Sequence, residues 1–415
     1  MRISPVIVCT VLLAWATCVS AQQFKDAHDP PPPGWTGPKF ALSQDYPTTK
    51  PTNQPKPWKA IDFKTHHAEY LNAVLQYCYE GNIEVEFRGQ DNAVRKWYHA
   101  PWLDDDDTKG REFMHGMTRE RSARTFRLHA NQDTPLGAYA VGMYNPLGGW
   151  TIGRVWTDHD NPDPSKAIFP EGSVAVKLLF VEVPEKRDGN SGLPAAKHLD
   201  NQVPYLVNSF EWDGFVAADG NFTTKPRKNG RVRLIQIDVA VKDSRAATTS
   251  GWVFGTFNYN SAAPGARPWD RMIPVGLMWG SDPTLTPMTY RTGQRPLQSK
   301  TIQANVVANQ ATDWHGLGWL ERLNGPIDNP ASACLSCHMT AQNPTASPML
   351  MSTLPWSDVK DPSVPLPADA VTQKMRWFQN NRRRPFDSTS LSLDYSLQLQ
   401  DGLDEWCQAT HCNSR

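Results

Sequence analysis

The residues best placed to do chemistry in this chain are Cys334-Leu335-Ser336-Cys337-His338, a CxxCH motif. Two thiols at this spacing can add to the two vinyl groups of one porphyrin, and the histidine that follows can place its imidazole on the iron. Few other chemistries need this five-residue geometry. We therefore predict one covalent haem c, with Cys334 and Cys337 as the thioether residues and His338 as the proximal iron ligand.

The motif has two other interpretations, a redox CxxC pair and half of a zinc site. A zinc ribbon or finger needs a second pair of ligands at a suitable spacing. The later group of Cys407, His411 and Cys412 is wrongly spaced for that role. Cys407 and Cys412 could instead close a small disulfide, and Cys78 is expected to be a single buried thiol.

The sequence leaves the sixth iron ligand open. Met375 is the best thioether candidate, although a methionine on an apolar helix face more often belongs to a core. His315 is the best imidazole candidate, although a lone histidine more often has a structural role. A vacant sixth position is the third alternative. The run 382–384, three arginines, could dock an acidic redox partner or pair with haem propionates, although such a run is usually a solvated surface.

The amino-terminal residues indicate export. Met1-Arg2 is a basic start, Val6 to Ala16 is an apolar run broken only by Thr10, and Val19-Ser20-Ala21 supplies small residues for cleavage. The apolar run is shorter than the roughly 20 residues that span a bilayer, and no later stretch is apolar enough. We predict a signal peptide over 1–21, a periplasmic or otherwise exported protein, and no transmembrane segment after cleavage.

Composition and periodicity predict the organisation of the rest of the chain. With 42 basic and 42 acidic residues, net charge favours neither nucleic acid nor an anionic membrane as a partner. The predicted haem makes a redox protein the expected partner. Proline-rich 22–58 is expected to be extended, 59–300 to be an α+β sheet domain, and 301–415 to be a haem c-binding segment that packs on the sheet.

The fold class predicted is α+β, a mostly antiparallel sheet with peripheral helices. Helices are expected at 60–82 and 369–380 from their three- and four-residue apolar spacing. Alternating apolar residues predict strands at 139–144, 150–156, 174–180, 231–241 and 251–257, the last two as an antiparallel pair. The haem is expected between this sheet, about 135–280, and the segment after Trp314.

The runs 169–177 (Phe-Pro-Glu-Gly-Ser-Val-Ala-Val-Lys) and 251–255 (Gly-Trp-Val-Phe-Gly), followed by a late CxxCH, resemble the sheet-based cytochromes. That group contains hydroxylamine-oxidising cytochromes with a lysine-crosslinked haem and the gas-binding cytochrome c-prime-beta proteins. The resemblance covers the middle third of the chain. It implies that Lys177 is a candidate for a covalent bond to the porphyrin, the alternative being an ordinary exposed lysine on a strand.

The whole chain is also similar to a family of uncharacterised exported haem c proteins. The stretches that carry this similarity are 97–102 (Trp-Tyr-His-Ala-Pro-Trp), 110–116 (Gly-Arg-Glu-Phe-Met-His-Gly) and 323–326 (Leu-Asn-Gly-Pro). That family implies haem and the periplasm, and it gives no substrate. A class I cytochrome c module is disfavoured, because 324–330 is full of helix breakers where an amphipathic helix would precede CxxCH.

Two functions compete on this evidence. Electron transfer through a haem with both axial positions filled is the expected function, since most single-haem c proteins carry electrons. The alternative is a haem enzyme or gas-binding protein with an open distal site for hydroxylamine or NO chemistry. Chain length argues for the alternative, because a carrier needs far fewer residues, but the extra residues could instead form a docking surface, so length does not decide between the two functions.

Overall fold

The structure, a computed structural model, describes residue 24 and residues 44–103, 117–123, 125–184, 195–217, 227–303, 318–345, 347 and 368–412. Its centre is an eight-stranded antiparallel sheet, and helices pack around it. The predicted α+β class and the predominantly antiparallel sheet are therefore confirmed. The predicted signal peptide and the candidate ligand His315 lie outside the described residues.

The large sheet has the strand order β1-β2-β3-β5-β6-β7-β8, with β4 paired to the first half of β5. Two further strands, β9 and β10, form a small separate pair. The strands are β1 Thr118–Ala123, β2 Leu136–Tyr144, β3 Val174–Val183, β4 Glu211–Ala217, β5 Arg227–Lys242, β6 Trp252–Tyr259, β7 Met272–Met278, β8 Ser299–Thr301, β9 Gln342–Asn343 and β10 Leu391–Ser392.

Seven α-helices lie in the described part of the chain, joined by several single turns of 3₁₀ helix. The predicted antiparallel pairing of the runs 231–241 and 251–257 is confirmed by β5 and β6. The helices are α1 His67–Tyr79, α2 Pro146–Val155, α3 Ala195–Gln202, α4 Pro287–Arg291, α5 Cys334–His338, α6 Ala368–Met375 and α7 Leu397–Thr410.

One predicted element is wrong: the run 150–156 belongs to helix α2 and is not a strand. The side chain of Asn145 caps this helix by accepting a hydrogen bond from the backbone N–H of Gly148 at 3.1 Å. Pro146 follows at the first helical position, where its missing N–H costs nothing. Asparagine followed by proline is a helix start, and this local signal outweighs the β-propensity of the residues after it.

One face of the sheet carries the larger apolar core. Val174, Val176 and Leu178 of β3 point to this face and belong to the same core cluster as the buried residues of helix α1. The helix lies so close that a Cβ added at Gly255 of β6 would meet Cδ2 of Leu71 at 2.1 Å. A residue without a side chain is therefore required where α1 crosses β6.

The opposite face carries a second core formed with the carboxy-terminal part of the chain. Phe254 of β6 packs there with Trp319, Leu335 and Phe378. Arg322 fixes this part to the sheet, since its buried guanidinium donates to the carbonyls of Ser281, Asp282 and Leu285 at 2.7, 2.8 and 2.7 Å. The helix that carries CxxCH is thereby held against the sheet.

Among the described residues, the cysteines outside the motif are structural. A disulfide joins Cys407 to Cys412, and Cys78 is a free thiol buried in α1. In the described ranges, no helix combines the length and the hydrophobicity that crossing a bilayer requires.

Candidate cofactor site

The CxxCH motif forms a helix of its own, α5. Ser336 stabilises its first turn, because its hydroxyl accepts a hydrogen bond from the backbone N–H of Ala333 at 2.7 Å. The backbone N–H of Cys334 donates to the carbonyl of Leu323 at 2.9 Å. Leu335 is buried in the second core. The two residues between the cysteines thus fix the helix, and the thiols and the imidazole remain available for chemistry.

His338 is oriented by two contacts. Its Nδ1 lies 2.9 Å from the carbonyl oxygen of Tyr395, and its ring lies 4.8 Å from the ring of Phe254, centroid to centroid. A carbonyl oxygen only accepts hydrogen bonds, so Nδ1 carries the proton and Nε2 keeps its lone pair. Burial lowers the pKa of His338 to about 4, so the imidazole is neutral at physiological pH. This is the protonation state that an iron ligand needs.

The carbonyl of Tyr395 is presented by a strained turn with three buried anchors. Asp394 and Tyr395 both have left-handed backbone conformations, with φ of 49° and 70°. The carboxylate of Asp394 accepts hydrogen bonds from Nζ of Lys242 at 2.6 Å, Nε1 of Trp252 at 3.2 Å and the backbone N–H of Phe169 at 2.9 Å. These anchors stabilise a turn that the local sequence disfavours.

Cys334 and Cys337 are free thiols, and each is partly exposed. Burial is the largest cause of the raised pKa of each thiol, yet each side chain is only partly covered by protein. Asp238 and Asp328 lie near Cys334 and help to raise its pKa, and both also lie near Lys177. We call the region formed by these two thiols with Lys177, Asp238 and Asp328 the recess.

The sheet supplies one wall of the recess through a row of side chains across neighbouring strands. Gly142, Lys177, Asp238 and Thr256 are directly opposite one another in the registers of β2, β3, β5 and β6. Residues paired in this way point to the same face of a sheet. The row faces α5, since the hydroxyl of Thr256 interacts with the thiol of Cys334.

Lys177 is a member of an ion-pair network on this wall. Its Nζ lies 2.8 Å from the carboxylate of Glu120 on β1, and 35% of its side-chain surface is exposed. Burial disfavours the ammonium, but Glu120, Asp328 and Asp238 together raise the pKa of Lys177. The lysine is therefore charged and directed towards the CxxCH helix, which an ordinary solvent-facing strand lysine would not be.

Two carboxylates of the recess share one amide group. Nε2 of Gln236 lies 2.9 Å from Oδ1 and 2.8 Å from Oδ2 of Asp238, and 2.9 Å from Oδ2 of Asp328. The hydroxyl of Thr256 donates to Asp238 at 2.8 Å. Burial, followed by the nearby charge of Asp328, raises the pKa of Asp238 to about 7. This carboxyl exchanges its proton close to neutral pH.

Arg121 of β1 completes the charged surroundings. Arg121 lies near Cys337 and Asp328. Burial disfavours the charged guanidinium, but the negative charge of Asp328 helps to raise the pKa of Arg121. Its Nη1 is buried and has no hydrogen-bond partner among the described residues. Two partly exposed free thiols and a neutral imidazole on one short helix fit a haem, which brings two vinyl groups and an iron.

The two candidate sixth ligands have different outcomes. Met375 is only 8% exposed and lies in the second apolar core, which also contains Trp319 and Phe378. These are the surroundings of a core methionine. His315 falls in 304–317, outside the described residues.

Several residues of the site were missed from the sequence, among them Glu120, Arg121, Asp238, Asp328 and Asp394. Asp238 left a signal, since it interrupts the otherwise apolar end of the strongest strand pattern in the chain. A carboxylate at such a position needs a partner or a function. The others come from loops and from a strand, β1, that has no apolar alternation.

The chain matches no protein-family model, no curated protein and no solved structure. Within the described ranges, no group of three or more His, Cys, Asp or Glu side chains is arranged to hold a metal ion.

Proposed function

We propose that this protein is an exported single-haem c-type cytochrome that transfers electrons. Cys334 and Cys337 would hold the porphyrin through thioether bonds, and Nε2 of His338 would coordinate the iron. The observation that supports this best is the geometry of α5, with two open free thiols and a neutral imidazole whose Nδ1 is held by the carbonyl of Tyr395 at 2.9 Å. When bound, haem supplies a centre that gains and loses one electron.

The first test is covalent haem attachment. The protein, expressed in a strain that matures c-type cytochromes, should stain for haem peroxidase activity on a denaturing gel and give a pyridine haemochrome spectrum of the c type. Cys337→Ser should lose most of the stain. Cys78→Ser, which changes a buried thiol outside the motif, should keep it. A haem-free wild-type protein from such a strain would refute the proposal.

A second candidate function is binding or oxidation of a small nitrogen compound, such as NO or hydroxylamine, at a haem with an open sixth position. The observation that favours it is the charged wall of the recess, where Lys177, Asp238 and Thr256 face the CxxCH helix. Polar donors and ionisable groups beside a haem promote ligand binding and activation, whereas a carrier needs neither. Lys177 is also the candidate for a crosslink to the porphyrin.

The two functions separate in the spectrum of the ferrous protein. A low-spin spectrum that carbon monoxide and nitric oxide leave unchanged supports the electron carrier. Rapid binding of either gas to a high-spin iron supports the second function. A red-shifted Soret band that reverts in Lys177→Met, but not in Lys300→Met, would assign the crosslink to Lys177. Lys300 is an exposed lysine on the edge strand β8.

A further inference from the structure

We propose that Asp238, Gln236 and Asp328 form a proton-binding site that takes up one proton when the haem of the proposed cytochrome is reduced. The inference rests on the proposed function and adds proton uptake to it. It arises because two carboxylates are held together by a single amide nitrogen in the recess that the CxxCH thiols border.

The geometry keeps the two carboxylates close. Oε1 of Gln236 accepts a hydrogen bond from the backbone N–H of Ile327 at 3.2 Å, which fixes the amide with its nitrogen towards the carboxylates. Asp328 is held in turn by the backbone N–H of Gly325 at 3.2 Å. With Nε2 of Gln236 within 2.9 Å of an oxygen of each, Asp238 and Asp328 cannot move apart without breaking these bonds. Two like charges at this separation favour the binding of one proton.

The surroundings contain charges of both signs. Lys177 faces Asp238 from β3, Arg121 faces the pair from β1, and Thr256 donates to Asp238 from β6. Arg127 lies on the far side of Asp328, where its Nη2 donates to the backbone carbonyl at 2.6 Å. Glu120 forms an ion pair with Lys177. Burial and the negative charge of Asp328 raise the pKa of Asp238 by more than the nearby cations lower it, so this pKa is raised to about 7.

The coupling follows from charge balance. Reduction adds one electron, delivered by a one-electron donor such as a redox protein or a small mediator, and makes the site more negative by one unit. The carboxylate of Asp238 then binds one proton from water and becomes a neutral carboxylic acid, so that the charge of the recess is restored. Because added negative charge raises the proton affinity of a neighbouring carboxyl, the reduced state binds the proton up to a higher pH than the oxidised state does.

The test is the midpoint potential of the haem-loaded protein as a function of pH, measured by spectroelectrochemical titration with soluble mediators from about pH 5 to about pH 9. The potential should fall as the pH rises through neutrality, with a limiting slope of about 59 mV per tenfold change in proton activity for one proton per electron. Asp238→Asn should lose most of this slope. Asp213→Asn, which changes an exposed carboxylate on β4, should keep it.

A second variant guards against misfolding of the first. Asp328→Asn removes the like charge, so the pH-dependent part of the curve should move to lower pH, a shift that mere loosening of the fold would not produce. Haem-loaded protein in which Asp238→Asn and Asp328→Asn both reproduce the wild-type curve would overturn the inference. Absence of haem from the wild type would instead refute the proposed function.

Discussion

At the scale of single residues, the site depends on a backbone carbonyl that a buried ion pair holds in place. Asp394 and Lys242 are only 2% and 8% exposed at their side chains. Tyr395, the next residue, offers its carbonyl to Nδ1 of His338. Asp394 therefore acts on the proposed iron ligand through the backbone, and we regard it as a positioning residue.

Asp394→Asn should weaken both the fold and the orientation of His338. Removal of one partner from a buried ion pair costs about 3–5 kcal/mol, because the other charge remains buried without compensation. With Tyr395 less well placed, the hydrogen bond from Nδ1 weakens and the imidazole becomes a poorer donor to iron, so the midpoint potential should rise. Urea denaturation and a redox titration measure the two effects.

The matched control for that experiment is Asp91→Asn. Asp91 pairs with Arg88 at 2.9 Å on the surface, where an ion pair contributes about 1 kcal/mol or less. Equal losses of stability in the two variants, with an unchanged potential in Asp394→Asn, would contradict the positioning role.

Asp238 should also contribute to the pH dependence of the stability of the folded protein. Its pKa is raised from 3.8 to about 7 in the folded protein, so between these values the folded state binds more protons than the unfolded chain does. Stability therefore falls as the pH rises through that interval, in contrast to the usual behaviour of a paired carboxylate. Thermal melting temperatures across this pH range should decline in the wild type, and the decline should be smaller in Asp238→Asn. An equal decline in both proteins would assign it to other groups.

At the scale of elements, the contact between helix α1 and strand β6 sets how closely the helix packs on the sheet. Gly255→Val should force Leu71 away, since the new Cβ would lie 2.1 Å from its Cδ2. Overpacking of this kind costs about 1–3 kcal/mol. Leu71→Ala alone should cost about 2–5 kcal/mol through the cavity that it leaves. If the two side chains compete for one space, the double variant costs less than the sum of the single ones. Thermal or urea unfolding of the four proteins gives the coupling, and strict additivity would contradict the close approach.

The elements that were predicted correctly are those whose signal is local. Strands β3, β5 and β6 alternate or run apolar over many residues, and α1 repeats its apolar residues at helical spacing, so each could be recognised from a short window. Strands β1 and β8 lack such a pattern, because they lie at the edges of the sheet, where one side is only partly covered. Their pairing is set by neighbours far away in the chain. The failure at 150–156 has the opposite cause, a local helix start that was overlooked.

The same division applies to the candidate site. CxxCH is a contiguous motif, and the sequence alone predicts its chemistry. The wall of the recess arises only when β3, β5 and β6 pair in one register, which places Lys177 beside Asp238 and Asp238 beside Thr256. Residue spacing along the chain does not predict that row, because the register depends on how strands that are distant in sequence pair with one another.

At the scale of the whole molecule, balanced net charge conceals an uneven distribution around the site. The run Arg382–Arg384 lies beside the end of α5, since Asn381 donates to the carbonyl of Met339 at 3.2 Å. Within the run, Nε of Arg383 lies 3.5 Å from the carboxylate of Asp394. Arg382 and Arg384 are exposed. The surface beside the end of α5 is thus positive, although the chain as a whole is neutral.

This local charge should select the redox reagents that the protein reacts with. In the haem-loaded, reduced protein, Arg384→Glu should slow oxidation by ferricyanide, an anion, and accelerate oxidation by a cationic cobalt complex, because the sign of the local potential steers the encounter. The control is Arg231→Glu, which makes the same change of net charge at an exposed position near the start of β5, whereas Lys242 at the end of that strand pairs with Asp394 beside the run. Stopped-flow rates should differ between the two variants at low salt and converge as the ionic strength rises, since the Debye length shrinks to about 3 Å at 1 M.

If both variants change the rates equally, only total charge matters and electrons do not leave near this loop. If Arg384→Glu alone reverses the preference, an acidic partner surface fits this side of the molecule.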